Sequence, residues 1–413
     1  MKYFGFIFLV TGLGIAYLLY TPVPDGLTQP MKFRIISAGA NVFNLVVSIQ
    51  NIIWPNEPND ILTMRYLSEL GESRRKIQAE VPGSKFRARE TTFDGVTVRL
   101  YEPISKPTNL LPGFIFYHGG GFCIGSTKMY DGLTRQFADE LDAVVVSVEY
   151  RLSPEYSFPV PFEDSLKAAK WFISHAQDYG VDPKRIAIGG DSAGGSLSSL
   201  VTHHIHDDKS IPDPKVQLLV YPSLQKIDTK TPSYQKYWYY VGNYGVLPPK
   251  RSSAFLTYYV FGQANEEFQI SYRDNNHTSS EFKKSSAFAR LDHSLIPANL
   301  RDPVFYSGPT DKSHGNAQMW EQIKDTFTDP RFNSFVREDL SGLPVTLIQT
   351  CGFDVLRDDG IFYWLALKAA GVRASWVDYE SGFHGVYWMG GGSEFELGKK
   401  MRKDSIEFLR KEL

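Results

Sequence analysis

RIAIGGDSAGGSLSSLVTHHI, residues 185–205, joins a short apolar run to a helix of small residues through Gly190-Asp191-Ser192-Ala193-Gly194. The pentapeptide matches G-x-S-x-G, which has little specificity by itself because Gly and Ser are common residues. Its position between a strand and a helix is the context of a nucleophile elbow, where a sharp turn presents a serine hydroxyl. A purely structural Gly-rich turn is the alternative. The context favours Ser192 as a nucleophile.

A second glycine-rich segment, His118-Gly119-Gly120-Gly121-Phe122, directly follows the apolar run Gly113–Tyr117. Glycines let a backbone approach a ligand closely and turn its N–H groups toward it. A phosphate-binding loop is the alternative, but no Lys-Ser/Thr pair ends the glycine run. N–H groups in such a loop, with that of the residue after the nucleophile, stabilise an oxyanion. The predicted donors are Gly119, Gly120 and Ala193, with His118 and Gly121 supporting the loop.

A serine nucleophile needs a general base and an acid that orients the base. The expected chain order is serine, acid, histidine. His384 lies in a Gly-Phe-His-Gly loop after the last predicted strand, and Asp354 follows the apolar run Pro344–Thr350. Asp358 and Asp359 are alternatives for the acid, but acidic residues there are more typical of the first turn of the next helix. We therefore predict Ser192, Asp354 and His384 as the catalytic residues.

Composition excludes several other function classes. Lys and Arg total 44 and Asp and Glu total 46, so a net charge of −2 predicts no nucleic-acid partner. Two Cys residues exclude a disulfide-rich scaffold and a four-thiolate zinc site. His203, His204 and His206 have a spacing that could suit a metal, but we expect exposed helix histidines. No metal and no organic cofactor are predicted. Aromatic residues are 14% of the chain, which indicates that many of them line either a core or a pocket for apolar ligands.

Apolar runs alternate with helical patterns along the body of the chain, which indicates a mostly parallel sheet. The connection from about 223 to 343 breaks this alternation and is rich in aromatic residues, so we expect an inserted cap. The predicted strands are Thr92–Tyr101 around an Asp-Gly turn, Gly113–Tyr117, Ala143–Val148, Arg185–Gly189, Val216–Tyr221, Pro344–Thr350 and Ala374–Tyr379. The predicted helices are Phe162–Gln177, the segment after the elbow, and one near Gly360–Ala370.

The N-terminal run Tyr3–Tyr20 contains no charged residue and follows Lys2. It reaches the length of about 18 residues at which a spanning helix is considered. A cleaved signal peptide is the alternative, but no A-x-A-like site follows the run. We predict an uncleaved signal-anchor that leaves the body outside the cytosol. The sequon Asn276-His277-Thr278 agrees, since a glycan is added only there.

The segment Ile35–Trp54 has polar residues at a helical spacing and no charge. Two interpretations remain open for this predicted helix. It is either a core helix or a cap helix that rests on a bilayer and admits apolar substrate.

Several motifs together resemble the hormone-sensitive-lipase branch of the α/β-hydrolases. They are HGGGF (118–122), GDSAGG (190–195) and EYRLSPE (149–155). CGFDVLRDDG (351–360), the Gly-Phe-His-Gly loop and the N-terminal anchor resemble the arylacetamide deacetylases and neutral cholesterol ester hydrolases within it. The resemblance implies a type II endoplasmic-reticulum membrane enzyme, its catalytic domain lumenal, that hydrolyses esters and sometimes arylamides of apolar acids.

The resemblance also implies the domain organisation. We expect an α/β-hydrolase fold with a mostly parallel central sheet, helices on both faces, a helical cap and an N-terminal transmembrane helix. Residues 1–22 would form the anchor, 23–90 the membrane-proximal helices, and 91–413 the hydrolase domain with its cap insertion.

In this fold the two cysteines would both lie at the carboxyl edge of the sheet. Cys123 follows the glycine loop and Cys351 precedes Asp354. In an oxidising compartment we expect a disulfide between them. Two buried free thiols are the alternative.

The predicted activity is hydrolysis of lipophilic carboxylic esters through an acyl-enzyme. An amidase-dominant deacetylase and a non-catalytic binding protein on the same scaffold are the alternatives. The expected partners are a lipophilic ester or amide substrate and a membrane. No obligate protein partner is evident.

Overall fold

The computed structural model describes residues 11–14, 16, 20, 23–53, 59–73, 78–105, 107–240 and 247–413. These residues contain one eight-stranded sheet. Its strands are β1 (Phe86–Phe93), β2 (Val96–Pro103), β3 (Leu111–Tyr117), β4 (Val144–Val148), β5 (Val181–Asp191), β6 (Val216–Val220), β7 (Val345–Phe353) and β8 (Ala374–Phe383). The strand order is β1-β2-β4-β3-β5-β6-β7-β8. Every predicted apolar run overlaps one of these strands.

The sheet is parallel from β4 through β8, and β1 and β2 extend it as an antiparallel hairpin. The hairpin turns at Asp94 and Gly95, whose φ values of 46° and 81° are both positive. This is the geometry that an Asp-Gly pair favours in a two-residue hairpin. With β1 included, the sheet begins at residue 86, which is five residues before residue 91, the expected start of the hydrolase domain.

Helices cover both faces of the sheet, as predicted. The α-helices are α1 (Pro30–Ile53), α2 (Asn59–Ser73), α3 (Asp131–Leu141), α4 (Val160–Ser174), α5 (Ala193–Asp207), α6 (Pro232–Tyr240), α7 (Pro249–Phe261), α8 (Glu266–Arg273), α9 (Ser286–Ala289), α10 (Ala317–Phe327), α11 (Arg357–Ala369) and α12 (Glu396–Glu412). Short 3₁₀ helices lie at Ala176–Tyr179, Phe282–Lys284, His293–Leu295, Ala298–Leu300 and Gly391–Ser393.

Two apolar clusters sandwich the sheet because successive side chains of a strand point to opposite faces. In β3, Ile115 packs with the helices α4, α5 and α11, whereas Phe114 and Phe116 pack on the other face with α3 and α12. All three side chains are fully buried. Burial on both faces explains why the central strands read as continuous apolar runs.

The connection from β6 to β7 forms the cap above the carboxyl edge of the sheet. Its described residues contain the helices α6 to α10. The cap's side chains merge with one core cluster, since Tyr259, Phe268 and Phe327 pack in the same cluster as α4 and α5. The aromatic richness of this connection therefore serves in part to bury the cap against the sheet.

The predicted helix Ile35–Trp54 is confirmed as far as Ile53, where α1 ends, and Trp54 lies outside the described residues. One side packs inward, where Phe33 meets Phe383 at a ring-centroid distance of 4.9 Å. The outward side is apolar too, and Ile35 and Ile52 are 72% and 81% exposed. The core-helix interpretation therefore accounts for only one side of α1.

The predicted signal-anchor, Tyr3–Tyr20, lies outside the described residues except for positions 11–14, 16 and 20. Among the helices that are described, none has both the length and the apolarity needed to cross a membrane.

Gly194 offers a test of the close packing between β3 and α5. A Cβ at this position would lie 2.0 Å from the Tyr117 carbonyl oxygen. We expect Gly194→Ala to lower the free energy of unfolding by about 3 kcal/mol or more, because backbone has to move. Gly132→Ala on α3 is the matched control, since nothing lies within 4 Å of its Cβ. Urea unfolding should show the control at or slightly above wild type; equal losses in both variants would contradict this packing.

Candidate active site

Ser192 stands at the turn between β5 and α5 with φ 55° and ψ −118°. This backbone conformation is unfavourable for a residue with a side chain. The turn is held by a hydrogen bond from the Ser192 N–H to the Val220 carbonyl at 2.9 Å. The turn also needs a glycine at position 190, because a Cβ there would lie only 2.4 Å from the Tyr117 carbonyl oxygen. The strand, turn and helix expected of a nucleophile elbow are all present.

The structure brings together the three side chains predicted as catalytic. The Ser192 Oγ lies 2.8 Å from His384 Nε2. On the other side of the ring, His384 Nδ1 lies 2.7 Å from Asp354 Oδ2. With the proton on Nδ1, the imidazole donates to the carboxylate and accepts from the serine hydroxyl. Asp354 is 2% exposed and also accepts from the Leu356 N–H at 2.9 Å.

The two alternative acids have other partners. Asp358 accepts two hydrogen bonds from the Arg357 guanidinium, at 2.9 and 2.8 Å, and one from the Ser233 N–H. Asp359 accepts from the backbone of Leu224 and Gln225. Both lie in the first turn of α11, as predicted. Neither carboxylate is in contact with His384, so Asp354 is the acid that the geometry supports.

One predicted oxyanion donor is wrong. The Gly119 N–H donates to Asp191 Oδ1 at 2.9 Å, so this proton already has a buried acceptor. In the described part of the chain, the N–H groups of Gly120, Gly121 and Ala193 have no recorded acceptor. All three residues line the pocket that contains Ser192. Gly121, expected only to support the loop, is therefore the candidate donor in place of Gly119.

Asp191 lies in the G-x-S-x-G motif, and no role was predicted for it. Its second carboxylate oxygen accepts from the hydroxyls of Tyr130 at 3.0 Å and Tyr221 at 3.3 Å. Burial raises the pKa of this carboxyl to about 6. With the bond to Gly119, the carboxylate ties the glycine loop to the residue directly before the nucleophile. Its position directly before Ser192 is the sequence feature that could have indicated a role in the site.

His118 supports the loop from beneath, as predicted. Its Nδ1 lies 2.8 Å from the Gly119 carbonyl oxygen, and its ring stacks on Tyr150 at 4.3 Å. Burial lowers the pKa of this imidazole, which favours the neutral form. The Tyr150 hydroxyl donates to the His118 carbonyl at 2.7 Å. The loop is thus held on both the side-chain and the main-chain atoms of His118.

Arg65 on α2 connects the N-terminal helices to this loop. Its Nε donates to the Cys123 carbonyl at 2.8 Å, and a terminal nitrogen pairs with Glu155 at 2.6 Å. Another terminal nitrogen donates to the Ser153 carbonyl. No local sequence pattern indicated these contacts, because they join segments that are far apart in the chain.

The catalytic side chains open into a pocket of about 1070 Å³, a volume that includes its mouth. Much of its wall is apolar and comes from α2, the cap, the N-terminal end of α11 and the loop after His384: Met64, Leu247, Phe255, Leu256, Leu356 and Trp388. Phe255 and Trp388 in this wall agree with the prediction that some of the aromatic residues line a pocket.

The predicted disulfide is wrong, since no disulfide joins Cys123 to Cys351 and both side chains are buried. Cys123 packs under α2 and α7 with Ile61 and Phe255. Cys351 points from β7 into the cluster on the α12 face of the sheet. Lying near the same sheet edge does not bring the two sulfurs together, because the side chains point into separate clusters. Burial raises the pKa of the Cys351 thiol, so it is poorly reactive.

The histidines after the elbow are not all exposed, contrary to expectation. His203 is 1% exposed and lies 2.8 Å from the Tyr363 hydroxyl. Burial lowers its pKa to about 3, so it stays neutral. Among the described residues, no group of three or more His, Cys, Asp or Glu side chains is arranged to hold a metal ion.

The sequon is only partly accessible. Asn276 is half-buried with its Oδ1 buried, and Thr278 is fully buried. A glycan on Asn276 would therefore have to be attached before the cap folds. Its occupancy stays a prediction.

Comparison with known proteins agrees with this geometry. Residues 114–304 and 297–388 match the family Abhydrolase_3, described as having the alpha/beta hydrolase fold. The chain is 34% identical to arylacetamide deacetylase of Oryctolagus cuniculus, over 97% of this chain and 98% of the relative. The chain belongs to the α/β-hydrolase family. It is also 34% identical to neutral cholesterol ester hydrolase 1 of Bos taurus, over 96% of each chain.

A solved structure extends the comparison. The esterase of Pyrobaculum calidifontis, at 26% identity, has a TM-score of 0.59 and covers 86% of this α/β-hydrolase and 94% of its own chain. The resemblance stated from the motifs is confirmed, and so is the prediction of a hydrolytic enzyme. The alternative of a non-catalytic binding protein is therefore set aside.

Two variants of this α/β-hydrolase test whether Asp354 or Asp358 is the acid that orients His384. We expect Asp354→Asn to lower kcat by about 10⁴-fold, because the amide would favour the wrong imidazole tautomer. Asp358→Asn should keep kcat within tenfold of wild type. It should instead lower stability by about 3 kcal/mol, since Arg357 is 2% exposed and would lose its anionic partner. Steady-state kinetics and urea unfolding measure both effects. A collapse of kcat in Asp358→Asn with a near-normal Asp354→Asn would reverse the assignment.

Proposed function

We propose that this α/β-hydrolase cleaves carboxylic esters of lipophilic acids by acyl transfer through Ser192, His384 and Asp354. The observation that carries the proposal is the continuous hydrogen-bond chain of 2.8 and 2.7 Å that ends at a serine in a largely apolar pocket. An apolar wall favours substrates that transfer hydrophobic surface out of water. A small set of convergent polar groups then fixes the ester.

In the first half-reaction, Ser192 Oγ attacks the ester carbonyl carbon while His384 Nε2 takes the hydroxyl proton. Asp354 holds the imidazole in the Nδ1–H tautomer and stabilises the imidazolium. The carbonyl oxygen becomes an oxyanion facing the N–H groups of Gly120, Gly121 and Ala193. One such donor is typically worth about 10²–10³ in rate.

The tetrahedral intermediate collapses when His384 donates its proton to the leaving alcohol. The acyl group then stays bonded to Ser192. Water enters, His384 takes one of its protons, and the hydroxide attacks the acyl carbon. Collapse of the second intermediate releases the carboxylic acid and returns the proton to Ser192. The cycle needs no group beyond these side chains and water.

A second activity, cleavage of arylamides, is supported by the 34% identity to a protein named arylacetamide deacetylase. The same steps apply, but an amine leaves poorly unless it is protonated. Amide cleavage therefore depends more strongly on proton donation by His384. We propose it as a secondary activity.

Matched p-nitrophenyl substrates test the activity. Wild type should hydrolyse p-nitrophenyl esters of medium acyl chains faster than the acetate, and p-nitroacetanilide more slowly than either. Ser192→Ala should lower kcat/KM by about 10⁴-fold or more, since the nucleophile is lost. Ser198→Ala is the control on the same helix, because its hydroxyl donates to the Gly194 carbonyl at 2.8 Å within α5. Full activity in Ser192→Ala would reject the proposal; faster amide than ester cleavage would make the deacetylase primary.

We propose further that the chain is anchored in the endoplasmic-reticulum membrane with its catalytic domain lumenal. The uncharged run Tyr3–Tyr20 and the resemblance of the motifs support this arrangement. The helices α1 and α2 also present an apolar surface. This surface, named here the apolar face, consists of Ile35, Val42, Leu45, Val46, Ile49, Ile52, Tyr66, Leu67 and Leu70, each at least 41% exposed.

The apolar face lies on the same helix pair that closes the pocket. Met64 of α2 lines the pocket, and Ile61 is buried against the α7 side chains below it. The exposed residues of α1 recur every three or four positions from Val42 to Ile52, so they form one stripe. Contiguous exposed apolar surface of this kind marks an interaction site. If α1 and α2 rest on the bilayer, the stripe is buried in lipid. The pocket then lies beside substrate that is dissolved in the bilayer.

Cysteine labelling tests contact with lipid. Both native thiols are buried, so Ile49→Cys offers a selective site for an environment-sensitive fluorophore. In full-length protein reconstituted in phosphatidylcholine vesicles, we expect blue-shifted emission that spin-labelled lipid quenches. Glu321→Cys on α10 is the control, since its side chain is 65% exposed in a polar setting. Identical, solvent-like emission at the two positions would contradict the bilayer contact.

A further inference from the structure

Lys226 places a buried ammonium group on the wall of the catalytic pocket. The side chain is 2% exposed and lines the same pocket as Ser192 and His384. Its Nζ donates to the Ser196 hydroxyl at 3.1 Å and to the Ser223 carbonyl at 2.9 Å. Ser196 lies one helical turn after the nucleophile, and its N–H donates to the Ser192 carbonyl at 3.1 Å. The ammonium is therefore close to the reaction centre.

The two hydrogen bonds leave one N–H of the ammonium without a hydrogen-bond acceptor among the described residues, and the Phe332 ring centroid lies 5.4 Å from Nζ. A lysine ammonium has three N–H donors. Within the described residues, the Ser196 hydroxyl and the Ser223 carbonyl are the two hydrogen-bond acceptors of Nζ, and Asp359 acts on the ammonium through its charge without an ion-pair contact. Burying an ammonium without a direct anionic partner costs several kcal/mol. The contact with the Phe332 ring offsets only part of this cost. A neutral side chain would avoid the cost, so joining two serines is a weak reason for a charge here.

The surroundings limit what the third donor can bind. Asp359 is the carboxyl whose negative charge acts on Lys226. Its carboxylate accepts hydrogen bonds from the backbone N–H groups of Leu224 and Gln225. Asp191 is a further buried carboxyl, and it lies on the pocket wall. With these acids present, another carboxylate entering the pocket would meet like charges. A neutral oxygen with lone pairs, such as an ether, ketone, hydroxyl or second ester carbonyl, avoids that repulsion.

We propose that Lys226 is a specificity-determining residue that donates a hydrogen bond to a neutral oxygen within the lipophilic part of the substrate. The substrate class is then an apolar ester that contains a second oxygen function, rather than a purely alkyl ester. The inference deepens the proposed ester hydrolysis and rests on it. It assigns a role to a buried polar group that the acyl-transfer steps do not use.

Isosteric substrates isolate this contact. p-Nitrophenyl octanoate is compared with its analogues in which one methylene, at positions 4 to 7 of the acyl chain, is replaced by an ether oxygen. For each analogue we divide its kcat/KM by the kcat/KM of the octanoate. We expect this ratio to be clearly higher for one ether position than for the others. In Lys226→Met this ratio should fall about tenfold or more, because hydrogen bonds to charged groups are strong. Taking the ratio cancels any general loss of activity.

The pH dependence of the same ratio in wild type is a second test that needs no variant. Burial lowers the pKa of Lys226 to about 8, against the opposing effect of Asp359. The ammonium is present below that pH, so the ratio should fall as the pH rises from 7 to 9.5. The other ionisable groups that face the pocket or contact Lys226 affect both esters alike: Tyr130, Asp191, Arg251, Tyr272, His277, Asp359 and His384.

The outcomes separate the two proposals. Turnover of octanoate by wild type but not by Ser192→Ala supports ester hydrolysis alone. If the ratio is then the same in wild type and Lys226→Met at every ether position, the ammonium only joins Ser196 to Ser223 and the specificity role is overturned. A ratio that is constant between pH 7 and 9.5 overturns it as well, even if Lys226→Met does not fold. No turnover of any ester overturns both proposals.

Discussion

Close approach of the end of β3 to the start of α5 is the constraint on which the site depends. Gly190 and Gly194 both face the Tyr117 carbonyl oxygen so closely that neither position has room for a side chain. This contact allows the backbone to turn at Ser192 with a positive φ. The unfavourable conformation persists because β5 and α5 are buried on every side, so relaxing it would disrupt the core. The serine hydroxyl is consequently aimed above the sheet edge.

The same approach places the glycine loop against the elbow. The loop begins where β3 ends, and Asp191 closes the gap by accepting the Gly119 N–H. A carboxylate acceptor holds the first glycine, and the next two N–H groups then face the pocket with that of Ala193. The elbow and the oxyanion donors are thus one unit. Arg65 extends this unit to the N-terminal helices, so the segment nearest the proposed membrane contact is tied to the loop.

The local features of this site could be predicted from sequence, because a strand, a turn of small residues and a helix leave a continuous pattern. The chain order then led to Asp354 and His384, and both have the contacts expected. Long-range orientation could not be predicted. Cys123 and Cys351 lie near one edge of the sheet but point into different clusters. Gly119 was misassigned because the pattern does not show which N–H already has an acceptor.

Buried polar residues were also beyond sequence reasoning. His203 and Lys226 are residue types that are usually exposed, yet each is at least 98% buried. Their burial follows from packing between α5, α11 and the cap, and such contacts leave no periodic signal. The helix α1 was predicted correctly as a helix, but its apolar outward side became evident only when the buried side was known. Exposure, unlike helix formation, depends on the whole fold.

The most direct test of the account is whether Ser192 is an activated nucleophile in the folded protein. Full-length protein is treated with a fluorophosphonate, and intact mass and peptide mass spectrometry locate the adduct. The account predicts one adduct per chain, on the peptide that contains Ser192, and faster than the same reagent modifies unfolded protein. Folded protein that gains no adduct, or gains it on another residue, would contradict the central claim.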